Sequence, residues 1–376
     1  MRLICLLLTL ALCSALRAQP GGVRLLLPPE IPAVPGREIN LYFDNVVLHP
    51  RSDLLLFDVD CPRGMQQQER FVWTPKPEDV GVFGLTLRVH DLNDKLVAEG
   101  KTKIHVYAPD AGAGKAVTAL IVGDSLTAAM VYTDELVKLM ATPGNPQLTP
   151  IGNNGTGALR NEGYGGWTAQ RFVTLWGPDA ITPEGRRGRS PFLFEVGGKP
   201  ALDFQKYCDV QNAGKGPDVI TILLGCNDTF NARESALEAA VDDFLRHLDT
   251  LIAEFHRISP DTKIGVITLL PPASSQDSSG AVVGCAQTRW QYRRNVHRVI
   301  EKTTERYGER EGENLFVVPA YVNFDSVHNV PTVEVPANAR NDVKIIRQNN
   351  DVHPAASGYR QLADSLYCWI KGQLAK

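Results

Sequence analysis

Ala119-Leu120-Ile121-Val122 runs directly into Gly123-Asp124-Ser125-Leu126, and this stretch decides the fold. Its apolar residues are continuous rather than alternating, the mark of a strand buried on both faces in a parallel sheet. Gly123 permits a tight turn, and residues 126–130 supply the start of a helix. Ser125 is therefore delivered at the carboxyl end of a buried strand, where open α/β sheets carry their sites.

The same texture recurs downstream. Strands are predicted over 116–122, 219–224, 263–269 and 315–318. Between them, residues 235–256 place Leu237, Val241, Phe244, Leu248, Leu251 and Phe255 at spacings of three and four, one apolar stripe of a helix. Residues 287–307 and 359–371 read as two further helices. This alternation implies an α/β domain over 116–376, a doubly wound parallel sheet in three layers of flavodoxin-like type. Ser125 follows the first strand and Asn227 the second, so both emerge on one rim.

Upstream the texture differs. After prolines at 28, 29, 32 and 35 come short segments with alternating or β-branched character over 39–43, 54–59, 71–73, 83–90 and 103–107. In the fourth of these, Leu85, Leu87 and Val89 share one face. A small all-β sandwich of immunoglobulin-like type is expected over 19–108. Residues 109–115, rich in Gly and Ala, read as a linker.

The chain of 376 residues is 43% apolar and 22% charged, with a formal net charge of −3. These are the proportions of a globular protein with room for two domains, and they offer no basic surplus for nucleic acid. The one local basic run, Arg186, Arg187 and Arg189 among Glu184, Gly185 and Gly188, reads as a solvated loop rather than an acid-binding site. Residues 1–18 read as a signal peptide: Arg2, the apolar run Leu3 to Leu12, and small residues at Ala15 and Ala18. That run is shorter than the ~20 residues of a membrane span. A secreted or periplasmic location is expected. A lipidated Cys13 is disfavoured by Leu12 before it. Beyond the signal remain Cys61, Cys208, Cys226, Cys285 and Cys368, whose spacing forms no metal-ligand pattern. An odd number leaves at least one unpaired within the chain.

Three blocks follow the serine in order: Asn161-Glu162-Gly163-Tyr164-Gly165-Gly166-Trp167-Thr168, then Gly225-Cys226-Asn227-Asp228, then Asn350-Asp351-Val352-His353-Pro354. A serine hydroxyl needs a base to take its proton and amides to hold the oxyanion it creates. His353 stands in a polar loop as the candidate base. Asn227 offers an uncharged amide, and Asp228 is a turn-capping residue.

Together the four blocks resemble the SGNH hydrolases, also called the GDSL esterase/lipase family, over roughly residues 116–371. The resemblance implies a serine esterase working through an acyl-enzyme on Ser125, with His353 as base and no metal or organic cofactor. It places the oxyanion donors on Ser125, Gly166 and Asn227. One position departs from the family pattern, which sets the orienting aspartate three residues before the histidine. Asn350 stands there, and Asp351 lies two before. Asp351 is the preferred third member; another carboxylate or a backbone carbonyl are the alternatives.

The substrate expected is an acylated small molecule or polysaccharide, most of all O-acetyl groups on carbohydrate, with Trp167 and Arg347 as possible contacts. Trp167 has a rival reading as a core aromatic. Residues 181–208 hold Gly, Pro and charges rather than an apolar lid. A lipase or thioesterase is the alternative within enzymes, and a noncatalytic glycan-binding protein the alternative outside them.

Overall fold

The computed structural model describes residues 23–178 and 187–375. The signal segment and Arg186 of the basic run lie outside the described residues.

The strands announced by the apolar runs form at Ala116–Gly123, Val219–Leu223, Lys263–Ile267 and Leu315–Val318, paired side by side in that order and parallel throughout. The sequence did not announce two others. Gln147–Ile151 runs parallel to the first part of Ala116–Gly123, and Leu159–Gly163 to its end. With Gln147–Ile151 taken second, the order is 2-1-3-4-5, which reverses between Ala116–Gly123 and Val219–Leu223. Register pairs Gly123 with Leu223, so these two strands end level with each other.

Helices cover both faces. Val131–Met140 packs with Ala356–Leu374, and Leu237–Ile258 with Arg289–Tyr307. The central strands are packed mainly with apolar side chains: Leu120, Val122, Ile220 and Ile222 are fully buried. Gly265 lets Trp369 lie flat on the sheet, since a Cβ there would sit 2.6 Å from the indole.

The regular structure before residue 107 is mainly β. One sheet runs Ile31–Ala33, Leu96–Val106, Gly81–His90, Leu56–Asp60; a second runs Ile39–Tyr42, Arg70–Trp73, Met65–Gln66. Leu85, Leu87 and Val89 do share the buried face. A helical turn, Phe43–Val46, interrupts the β pattern and enters the α/β part. There Asn45 donates to the carbonyls of Tyr321 at 2.8 Å and Phe324 at 2.7 Å. Asp44 pairs with Arg293 at 2.8 Å and Arg289 at 3.3 Å. One apolar cluster runs through both parts. Residues 109–115 form turns rather than a spacer, with Gly112 packed on Leu374. The five cysteines are unpaired, and Cys208, Cys226 and Cys368 are buried. No helix among the described residues is long and apolar enough to cross a membrane.

Candidate active site

Ser125 opens a short helix, Ser125–Ala128, at the carboxyl end of the first strand. Asp124 caps it, its carboxylate accepting the Leu126 amide at 2.9 Å. Gly123 is sterically required, because a Cβ there would lie 2.0 Å from the Thr127 hydroxyl. His353, on the loop before Ala356–Leu374, reaches back across the chain. Its Nε2 stands 2.8 Å from Ser125 Oγ. Both side chains are half-buried and reachable by solvent.

The loop that carries His353 is shaped by Asn350. Its Oδ1 accepts the amides of Val352 at 2.9 Å and His353 at 2.8 Å, a local turn that aims the following residues. The residue in the family's usual aspartate position thus acts on the backbone. Asp351 is buried, and its Oδ2 accepts the Ser279 hydroxyl at 2.5 Å. Its Oδ1 is buried without a hydrogen-bond partner. No hydrogen bond joins Asp351 to the imidazole here, although each group feels the other's charge. Burial lowers the His353 pKa from its usual value and raises that of Asp351; their mutual attraction opposes both shifts.

The second block meets the first directly. Gly163 pairs with Gly123, and the Tyr164 amide donates to the Gly123 carbonyl at 3.1 Å. Gly163 leaves room for the backbone of Thr127 and Ala128, since a Cβ would sit 2.5 Å from the Ala128 nitrogen. The gap at Gly163 therefore serves the serine helix. Gly166 is exposed, with φ +72 and open space where a side chain would stand. Among the described residues, no backbone carbonyl takes up the amides of Ser125 and Gly166.

Asn227 lies in the helical turn Cys226–Thr229 that follows the strand Val219–Leu223. Its Nδ2 donates to Asp124 Oδ2 at 3.1 Å and to the Trp167 carbonyl at 3.0 Å. Both amide protons are engaged, so donation to an oxyanion requires one of them to be shared or exchanged. Asp228 accepts the Ala169 amide at 3.0 Å, tying the second block to the third. Burial pushes both Asp124 and Asp228 up to about 7, and for Asp124 the charge of Asp228 adds to it.

Residues 120–366, more than half of the chain, match the family described as GDSL-like Lipase/Acylhydrolase. The chain belongs to this family. As a GDSL/SGNH acylhydrolase it is a carboxylic ester hydrolase. No curated protein sequence matches it. Among solved structures it is similar to a family 3 carbohydrate esterase of Clostridium thermocellum, at 16% identity over 70% of this chain and 100% of that one, TM-score 0.38. A family 3 carbohydrate esterase of Talaromyces cellulolyticus is similar at 12% identity over 69% and 98%, TM-score 0.38. A possible lipase of Chitinophaga pinensis is similar at 14% identity over 69% and 100%, TM-score 0.37.

One expected contact of this GDSL hydrolase is corrected, and a second is found in an ion pair. Trp167 is 1% exposed and packs on Tyr164 and Phe172, so its indole offers no stacking surface; its carbonyl instead holds Asn227. Arg347 pairs with Asp277, one nitrogen lying 2.9 Å from each carboxylate oxygen. It anchors an exposed hairpin, Thr332–Asn338 with Asn341–Gln348, to the helix Gln276–Val283. Ser279 was missed altogether. Residues 274–279 are all polar and carry no apolar stripe, and only folding brings Ser279 to Asp351.

Proposed function

We propose that the chain is an exported serine esterase that removes short acyl groups, chiefly O-acetyl groups, from carbohydrate. The hydrogen bond between Ser125 Oγ and His353 Nε2 carries the mechanism. As Ser125 Oγ bonds to the ester carbonyl carbon, its proton passes to Nε2 and the carbonyl electrons move onto oxygen. The amides of Ser125 and Gly166 receive that oxyanion, with Asn227 joining as it yields one of its present acceptors. Collapse expels the sugar alkoxide, which takes the proton from His353 and leaves an acyl-enzyme. Water repeats the sequence, releasing acetate and restoring Ser125.

The rim supports a hydrophilic alcohol. Gly165, Gly166, Thr168, Asn227, Asp228 and Asn350 are accessible residues of the four blocks around the pair, all small or polar, with Val352 the apolar exception. A second reading, hydrolysis of longer acyl chains, is favoured by one observation: the hairpin leading into the His353 loop exposes Val333, Val343 and Ile346.

Rates on p-nitrophenyl esters from acetate to palmitate, alongside acetate release from acetylated xylan, separate the two. Short-chain preference with acetate release is expected. Preference for long chains without release from glycan sinks the carbohydrate reading. Ser125→Ala is expected to abolish labelling by a fluorophosphonate probe.

A further inference from the structure

The third member of the catalytic group is the point at which this chain departs from its family. Asp351 lies one residue off the usual spacing, and the turn made by Asn350 turns the following amides toward Asn350 Oδ1. A carboxylate displaced in this way needs a hold from elsewhere. The described structure supplies one on the helix Gln276–Val283, an element outside all four blocks. Ser279 there is 1% exposed, and its hydroxyl donates to Asp351 Oδ2 at 2.5 Å.

We infer that Ser279 is a positioning residue of the esterase, fixing the Asp351 carboxylate so that its free oxygen, Oδ1, serves the imidazole of His353. The inference rests on the esterase reading. Three observations carry it. First, Asp351 is 5% exposed, and a buried carboxylate oxygen left without a donor is costly, so the unpartnered Oδ1 marks a group held for a partner that binds in another state. Second, His353 is the charge-bearing neighbour that becomes a cation when it takes the Ser125 proton. At that moment Nδ1–H gains strength as a donor, and a carboxylate already fixed in place need not reorganise. Third, Ser279 opposes the effect of burial by donating to the ionised form, keeping Asp351 available as an anion.

The hold on Ser279 is itself firm. Its helix is tied to the hairpin that leads into the His353 loop, through Asp277 with Arg347 and through Gln348 Oε1, which accepts the Ser275 amide at 2.8 Å. Arg289 adds a cation that favours the ionised Asp351 and is fastened by its Nε to the Ala273 carbonyl at 2.6 Å. The carboxylate and its support therefore belong to one braced unit rather than to a free loop.

The test is a double-mutant cycle on p-nitrophenyl acetate with the full chain: wild type, Ser279→Ala, Asp351→Asn and the double variant, each with Tm measured alongside. Ser279→Ala is expected to lower kcat about 10-fold with KM unchanged, the scale of one charge-assisted hydrogen bond. In the Asp351→Asn background the same change is expected to leave kcat where it was. Ser279→Cys, which keeps a weaker donor, is expected to fall between wild type and Ser279→Ala, and it carries the comparison if Ser279→Ala does not fold. Wild-type kcat in Ser279→Ala or Ser279→Cys, a full 10-fold loss repeated in the Asp351→Asn background, or an Asp351→Asn variant as active as wild type would each overturn the proposal while leaving the esterase reading intact. Absence of hydrolysis by the wild type would overturn both.

Discussion

At the scale of single residues, protonation decides activity. His353 must be neutral to accept the Ser125 proton, and burial lowers its pKa below the ordinary imidazole value of 6.5. The base therefore stays neutral further into acid, and the acid limb of the kcat/KM profile is expected below 6.5, where an exposed imidazole would already be charged. A limb above that value contradicts the burial seen here. Asn350→Asp provides a sharper check. A carboxylate keeps both acceptor positions of the turn but adds an anion near the ring, so the same limb is expected to move to higher pH than in the wild type. Ser125, His353 and Asn350 were all visible in the sequence as types and positions. That Asn350 shapes backbone while Asp351 faces Ser279 was not, because a spacing of one residue says nothing of side-chain direction in an irregular loop.

At the scale of elements, glycines divide into those that bear contact and those that bear conformation. Gly163→Ala forces a methyl against the backbone of the serine helix, 2.5 Å from the Ala128 nitrogen. Neither strand nor helix yields there without moving Ser125, so loss of both Tm and kcat is expected. Gly166→Ala meets no atom but must hold φ +72, which costs about 1 kcal/mol. A Tm drop well under that of Gly163→Ala is expected, measured by thermal melts of the two variants. The strand Leu159–Gly163, which creates this contact, had no sequence signal. Asn161 and Glu162 are polar yet fully buried: the Glu162 carboxylate accepts from Tyr164, Tyr207 and Asn153, and Asn161 Oδ1 accepts the Gly163 amide while its Nδ2 has no hydrogen-bond partner. Apolar periodicity cannot report a strand whose buried residues are polar.

For the whole molecule, the β part is fastened to the α/β part by buried polar groups. Asn45 satisfies two carbonyls of the α/β part, and its removal strands both in the interior. Asn45→Ala is expected to destabilise the protein by about 2 kcal/mol or more. Because one core runs through both parts, a single thermal transition is expected to shift as a unit; two separate transitions would contradict the shared core. His297 lies buried beside the same junction, its pKa lowered to about 3 by burial and the neighbouring Arg293. Its folded form refuses a proton that the unfolded chain accepts below 6.5, so its contribution to stability is full above 6.5 and is lost as pH falls toward 3. The Tm of wild type relative to His297→Leu is therefore expected to fall progressively across that window.

The sequence by itself determined the parallel sheet, its apolar strands, the long amphipathic helix and the order of the four blocks. Each of these is written in local patterns of burial and turn chemistry that hold whatever lies far away in the chain. Tertiary structure alone decided the rest: that Trp167 lies in the core, that Arg347 braces a hairpin, that Asn227 already has both its amide protons engaged, and that Ser279 reaches Asp351. Those outcomes depend on which groups folding brings within about 3 Å of each other. Residue type limits what such a group can donate or accept, but only packing selects its partner.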